Sequence, residues 1–179
     1  RSVNARKTFG HFEVDRIESN KTSRAGLLVA QERKSRYYVA VKTKTRKPDE
    51  NKAALCEALG NIAKVKTLTY DNDIAFARHE DVNDALGSTS FFCHPYRSCE
   101  KGGIEHANKL MREYVPKGSD IALYSNAYIG FALYLLNNRP RECLKFKTSY
   151  EVMQENHMFK VEKRETKNTT TSGALGGSA

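Results

Sequence analysis

Val65-Lys66-Thr67-Leu68-Thr69-Tyr70-Asp71 decides how the rest of this chain is read. Its β-branched and aromatic residues favour a strand, and the strand ends on a carboxylate. Working back from it, Pro48 opens a stretch in which Ala53, Ala54, Leu55, Ala58 and Leu59 recur at helical spacing, with Gly60 just past the end. Earlier still, residues 9–17, 27–32 and 37–43 are short apolar and β-branched segments separated by polar or glycine-containing breaks. They predict three strands joined as antiparallel hairpins.

Working forward, residues 79–86 predict a short helix stopped by Gly87, and residues 90–93 a fifth strand before Pro95. Ile104, Ala107, Leu110, Met111 and Tyr114 mark a helix halted at Pro116. A last long helix starts after Ser125 and ends at Asn137-Asn138-Arg139-Pro140, and residues 150–158 add a terminal helical piece. Hairpins followed by alternating strands and helices predict an α/β domain: one mixed five-stranded sheet, three antiparallel strands then two parallel, with helices on both faces.

The chain has 179 residues, of which 39% are hydrophobic and 28% charged, enough for one buried core and unlike a disordered segment. Residues 9–158 are expected to form that core, with 1–8 a linker and 159–179, rich in Thr, Gly and Ser toward its end, a flexible tail. The chain starts at Arg1 and carries no secretory leader, which reads as a piece of a longer protein. A net charge of +9 predicts a surface that attracts polyanions such as nucleic acid. Cys56, Cys93, Cys99 and Cys143 lack zinc-site spacing and read as reduced thiols of a cytoplasmic protein. The apolar run 129–136 is too short to cross a bilayer.

Asp15 falls in the first strand and Asp71 just after the fourth, and carboxylates set on a sheet are costly unless paired or bound to a cation. Glu105 opens the helix after the fifth strand, where Asn108, Lys109 and Arg112 share its polar face. Acids that hold Mg²⁺ or Mn²⁺ beside bases that hold phosphate suit phosphodiester chemistry with two metal ions, and no nucleophilic side chain is then required. His11, His79, His94 and His106 lie close enough in sequence to orient such ligands. Taken singly, each acid is more often a turn former, a helix cap or a dipole partner.

Four motifs in order change that balance. Phe9-Gly10-His11-Phe12-Glu13-Val14-Asp15; Thr69-Tyr70-Asp71-Asn72 with Phe76; Glu100-Lys101-Gly102-Gly103-Ile104-Glu105-His106 continuing to Pro116-Lys117-Gly118; and Leu136-Asn137-Asn138-Arg139-Pro140-Arg141 with Tyr150-Glu151-Val152 resemble the signatures of the insertion sequence thirty (IS-thirty) transposases, of the retroviral-integrase, RNase H-like superfamily. The 33 residues between Asp71 and Glu105 fit the same pattern. The resemblance implies an RNase H-like fold and a DDE triad of Asp15, Asp71 and Glu105 binding two Mg²⁺ or Mn²⁺ ions. It also implies cleavage of DNA at element ends followed by strand transfer, in a bacterial, nucleoid-associated setting that leaves a homo-oligomer open.

Lys101, Asn108, Lys109, Arg112, Arg139 and Arg141 are the expected DNA contacts. The sequence departs from the family pattern at Asp73, Ala75, Cys99, Ile104 and Ser149, where the family usually has Gly, Glu, an aromatic, Asn and Pro. Asp73 follows the second acid in a turn expected to want positive φ. A weakly active or inactive DNA-binding, self-associating module is therefore the alternative, and an RNase H-like nuclease on the same site is a further one.

Overall fold

A computed structural model describes residues 7–93 and 102–161. Five strands, β1 (His11–Glu18), β2 (Gly26–Glu32), β3 (Tyr38–Thr43), β4 (Thr67–Tyr70) and β5 (Thr89–Phe92), form one sheet in the order β3-β2-β1-β4-β5. β1, β2 and β3 pair antiparallel, whereas β4 joins β1 and β5 joins β4 in parallel. Each parallel neighbour is reached through a helix, α1 (Pro48–Leu59) before β4 and α2 (His79–Leu86) before β5.

Alternation along the strands supplies two cores, one on each side of the sheet. Phe12, Val14, Leu28, Ala30, Leu68 and Tyr70 face α1, α2 and α5 (Ser149–Glu155), meeting Leu55, Leu59, Val82 and Met153. Ile17, Leu27, Val29 and Ala40 face α3 (Gly102–Met111) and α4 (Asn126–Asn137), meeting Ile104, Ala107, Met111, Ile129 and Leu136. The predicted mixed sheet with helices on both faces is thus observed.

Local chemistry explains the breaks. Pro48 sits in the first turn of α1, and Gly87 ends α2 in the left-handed conformation (φ 64°) that a residue without Cβ adopts at no cost. Ser125 caps α4 through the Tyr128 N–H, and Thr148 with Glu151 forms a capping box on α5. The 3₁₀ turns at Ile74–Phe76, Ile121–Leu123 and Glu142–Leu144 were not expected; at three residues each they are too short for periodicity to reveal. Ordered contacts run past residue 158: Phe159 bridges to Ile62, and the Lys160 N–H donates to Asn61 O.

Candidate active site

β1 carries Glu13 and Asp15 two residues apart, on the side of the sheet that α3 covers. The parallel register relates His11 to Thr67 and Glu13 to Thr69, an offset of 56 that also relates Asp15 to Asp71. Continued two residues past the paired positions, that register sets Asp71, which directly follows the last residue of β4, level with Asp15 on β1. The register thus aligns the two aspartates despite their separation along the chain.

α3 is seated on this surface by a buried carboxylate. The Ile104 N–H donates to Glu13 Oε2 at 2.8 Å, and Glu13 Oε1 lies 3.1 Å from Arg33 Nε. Close approach requires Gly103, because a Cβ there would stand 3.0 Å from both Glu13 Oε2 and Gln31 Oε1. One turn further on, Asn108 Nδ2 donates to Asp15 Oδ2 at 2.7 Å while Asn108 Oδ1 accepts from the Tyr38 hydroxyl at 2.8 Å. Burial, and then the charge of Asp15, push the Tyr38 hydroxyl well above its ordinary pKa. It stays protonated and donates, which fixes the amide with its NH₂ end toward the aspartate.

Glu105 lies one turn before Asn108 on the same helical stripe and is exposed. Among the described residues, no three His, Cys, Asp or Glu side chains stand close enough to hold a metal ion together. The strand register aligns two members of the expected triad, and the third, Glu105, is exposed on α3. The donor set, oxygen throughout, fits a hard divalent cation such as Mg²⁺ or Mn²⁺.

The other expected contacts fall into three groups. Asn108 is engaged at both ends within the protein, and the Arg112 guanidinium donates to the carbonyls of Glu18, Val115 and Pro116, tying the end of α3 to the end of β1. Lys109 and Arg139 are exposed, and half-buried Arg141 donates to Ser149 Oγ and Leu136 O. Lys101, with His94 and Cys99, lies outside the described residues. Of the histidines, His11 sits between the Thr8 and Thr67 hydroxyls, His79 packs edge-on against Phe92, and His106 lines a cleft beside α3.

The expectation of positive φ at Asp73 is corrected: φ is −93°. Its carboxylate instead caps the Ile74–Phe76 turn through the Ala75 N–H and forms a two-point ion pair with Arg46. Burial pushes the Asp73 carboxyl up, but the Arg46 and Ala75 hydrogen bonds outweigh it and hold the group below the usual carboxylate range. Ile104 is a fully buried core residue, and buried Ser149 supplies the hydroxyl that Arg141 uses, a contact that proline cannot make.

Glu13, Arg33, Tyr38 and Arg46 carry much of this geometry without having been singled out for these roles. Glu13 was detectable, because a residue two before Asp15 in a strand shares its face. The other three depend on pairings across the fold that no local pattern announces.

No protein-family profile matches the chain. It is 33% identical over 156 residues to the transposase InsI for insertion sequence element IS30A of Escherichia coli (strain K12), a match covering 86% of this chain and 40% of that protein. It is 35% identical over 160 residues to the transposase for insertion sequence element IS1086 of Cupriavidus metallidurans, covering 86% of this chain and 45% of the relative. Over that span the chain is similar in sequence to the IS30-family transposases.

The chain spans less than half the length of those curated relatives. Its fold is shared with the catalytic core domain of BIV integrase, at 22% identity and a TM-score of 0.65 over 83% of this chain and 95% of that one. It is shared equally with the HTLV-2 integrase catalytic core domain in complex with magnesium, trimeric form, at 18% identity and a TM-score of 0.63 over 79% and 94% of the two chains. The fold of the chain is accordingly the one these two domains share, a mixed five-stranded sheet with helices on both faces.

Proposed function

We propose that this chain is the catalytic core of a DNA transposase, cleaving phosphodiester bonds at element ends and transferring the cut strand. The alignment of Asp15 and Asp71 by the β1–β4 register, with Asp15 bonded to the helix that carries Glu105, is the observation that supports it. Asp15 and Asp71 would hold a divalent ion, Mg²⁺ or Mn²⁺, and Glu105 is the carboxylate available to a second one. Such ions supply Lewis-acid activation of the attacking oxygen and charge stabilisation of the leaving one.

The chain's own residues prepare that chemistry. Tyr38 and Asn108 hold Asp15 in one orientation, and Glu13 with Arg33 fixes the height of α3 above the sheet. A carboxylate held by a preset donor loses little freedom when it binds a cation, which raises affinity without any added interaction. Lys109, Arg139 and Arg141 are the cations in reach of the DNA backbone, and Lys101 is proposed from sequence alone. With a net charge of +9 and no helix long and apolar enough to cross a membrane among the described residues, the proposed setting is the bacterial nucleoid.

The test is Mn²⁺- or Mg²⁺-dependent nicking and joining of terminal-repeat DNA by the chain and by Asp15→Asn, Asp71→Asn and Glu105→Gln. Loss of activity in all three with unchanged thermal melting supports the reading. Full activity in either Asp→Asn variant overturns it. That no three such acids cluster among the described residues favours a second reading, a DNA-binding and self-associating module without turnover. Metal-independent binding with no nicking at any metal concentration selects that one.

A further inference from the structure

The connection between β3 and α1 places an arginine between carboxylates from two other parts of the chain. Arg46 Nε donates to Asp73 Oδ1 at 3.2 Å, its Nη2 pairs with Asp73 Oδ2, and Glu18 Oε1, at the end of β1, lies 3.8 Å from Nε. The segment that carries Arg46 is itself held on two sides. Glu50 of α1 accepts the Lys44 N–H and, at 2.9 Å, the Thr45 N–H. Arg16, buried and paired with Glu18, donates to Thr45 O at 3.2 Å and to Arg24 O at 3.1 Å. Glycine at position 26 leaves room for that guanidinium, since a Cβ there would stand 2.5 Å from Arg16 Cζ. Arg46 therefore reaches Asp73 from a fixed support.

Asp73 is two residues past Asp71, and the chain is fixed on either side of that acid. Upstream, Tyr70 closes β4 in register with Phe92, and Tyr70 O accepts the Cys93 N–H at 2.8 Å. Downstream, Asp73 holds the Arg46 pair and caps the Ile74–Phe76 turn through the Ala75 N–H at 2.8 Å. Between them, Asn72 Nδ2 donates to Cys93 O at 3.1 Å. Two residues spanning two fixed points have few backbone conformations left, so the place where Asp73 is held decides how Asp71 is presented.

Exposure separates this role from a stabilising one. The Arg46 side chain is 54% exposed and that of Asp73 15%, and an ion pair so open to water adds little to folding stability. What it adds is direction: a guanidinium that grips both oxygens of a carboxylate fixes angle as well as distance, which an ammonium does not. The Asp73 hydrogen bond, against the effect of burial, and then the charges of Asp73, Glu18 and Asp71 strengthen the hold of Arg46 on its proton, so the guanidinium stands within electrostatic reach of Asp71. Resting on the reading of Asp15 and Asp71 as a cation site, we infer that Arg46 is a positioning residue: its two-point grip on Asp73, braced by Glu18, sets the direction in which Asp71 offers its carboxylate to the ion.

The experiment compares the whole chain with Arg46→Gln, Asp73→Asn, the two combined, Arg46→Lys and Asp71→Asn. Amide hydrogen exchange is followed without metal, and Mn²⁺ binding by calorimetric titration. Asp73→Asn is chosen because an asparagine oxygen still caps the turn, so the change removes the ion pair alone. The Ala75, Phe76 and Ala77 amides, all hydrogen-bonded within the turn, are expected to exchange faster in Arg46→Gln and in Asp73→Asn. Mn²⁺ should bind roughly tenfold more weakly in both, the scale seen when a partner that orients a metal ligand is removed. The combined variant should fall within about twofold of either single one, because both changes break the same contact. Arg46→Lys, which keeps the charge without the fork, should recover part of the affinity, and thermal melting should shift little in the Arg46 and Asp73 variants. Unchanged exchange, unchanged or tighter Mn²⁺ binding in Arg46→Gln, or losses that multiply in the combined variant overturn the inference. Asp71→Asn tests the carboxylate reading separately: Mn²⁺ binding equal to the wild type sinks that reading, whereas exchange without metal reports on the Arg46–Asp73 contact by itself.

Discussion

Asn108 donates from Nδ2 to Asp15 Oδ2 at 2.7 Å, and its carbonyl end accepts from Tyr38 at 2.8 Å, so one amide links β3, α3 and the first aspartate. Because Tyr38 remains a donor, the amide cannot turn round without placing two donors together. Asp15 is thereby presented to any cation in a fixed rotamer.

Removing that amide is expected to cost more in turnover than in stability. A hydrogen bond to a charged group contributes about 1.5–3 kcal/mol, so Asn108→Ala should lower metal-dependent nicking roughly tenfold to a hundredfold. Asn108→Asp places a second negative charge against Asp15 and should be at least as damaging at low metal concentration, with part of the loss recovered as Mn²⁺ is raised. Single-turnover nicking against metal concentration, with thermal melting alongside, separates these effects; unchanged rates in both variants would remove Asn108 from the site.

Glu13 governs stability in the way Asn108 governs orientation. It is 1% exposed, pairs with Arg33 and accepts the Ile104 N–H. Glu13→Gln removes the charge from one side of the buried contact with Arg33, and breaking one side of such a pair costs about 3–5 kcal/mol. Urea unfolding should show that loss, and Glu13→Gln with Arg33→Gln should recover part of it. If the single variant melts like the wild type, α3 is held by its apolar contacts alone.

These two residues show where sequence reading stops. The strand 65–71 announced itself by composition, and the amphipathic helix carrying Ile104, Ala107 and Met111 by its period, so the sheet with helices on both faces was legible. Asp15, Asp71 and Glu105 were proposed from motif order, and the parallel register, continued by two residues, aligns the first two. The Asn108 amide was placed on the DNA-facing side because polar helix positions normally face solvent, whereas it bonds inward to Asp15 and Tyr38. Asp73 was assigned a left-handed turn, but its pairing with Arg46, 27 positions away, stabilises an extended cap instead. Hydrogen bonds between distant segments decide such details, and periodicity carries no record of them.

His11 should make folding stability depend on pH near neutrality. Burial, then the charges of Lys66 and Arg33, lower its pKa below the ordinary 6.5, and its ring nitrogens are occupied by the Thr8 and Thr67 hydroxyls. Between the folded and unfolded pKa values the unfolded chain binds a proton that the folded chain does not. Stability is therefore complete above about pH 6.5 and is lost as pH falls through the unfolded value toward the folded one. Denaturation midpoints compared at about pH 5 and pH 7.5 should differ less in His11→Gln than in the wild type, and an identical pH dependence in the two proteins would assign the effect to another group.

α4 predicts self-association. No residue of Asn126–Asn137 is charged, and while Ile129, Ala132 and Leu136 are buried, Phe131 is 57% and Tyr134 63% exposed on the outer face. Tyr128, Phe131, Tyr134 and Leu135 recur at helical spacing and form one apolar stripe. A chain of net charge +9 repels its own copies over most orientations, so an uncharged helix is where two copies can meet without opposing like charges. An apolar stripe of this kind is also unfavourable in water unless covered. Phe131→Glu with Tyr134→Glu should shift sedimentation from dimer to monomer at micromolar concentration while leaving the melting curve of the folded monomer intact, since neither side chain belongs to the core. A wild-type chain that sediments as a monomer across that range, or a variant that stays dimeric, would show that α4 is not where copies of this chain associate.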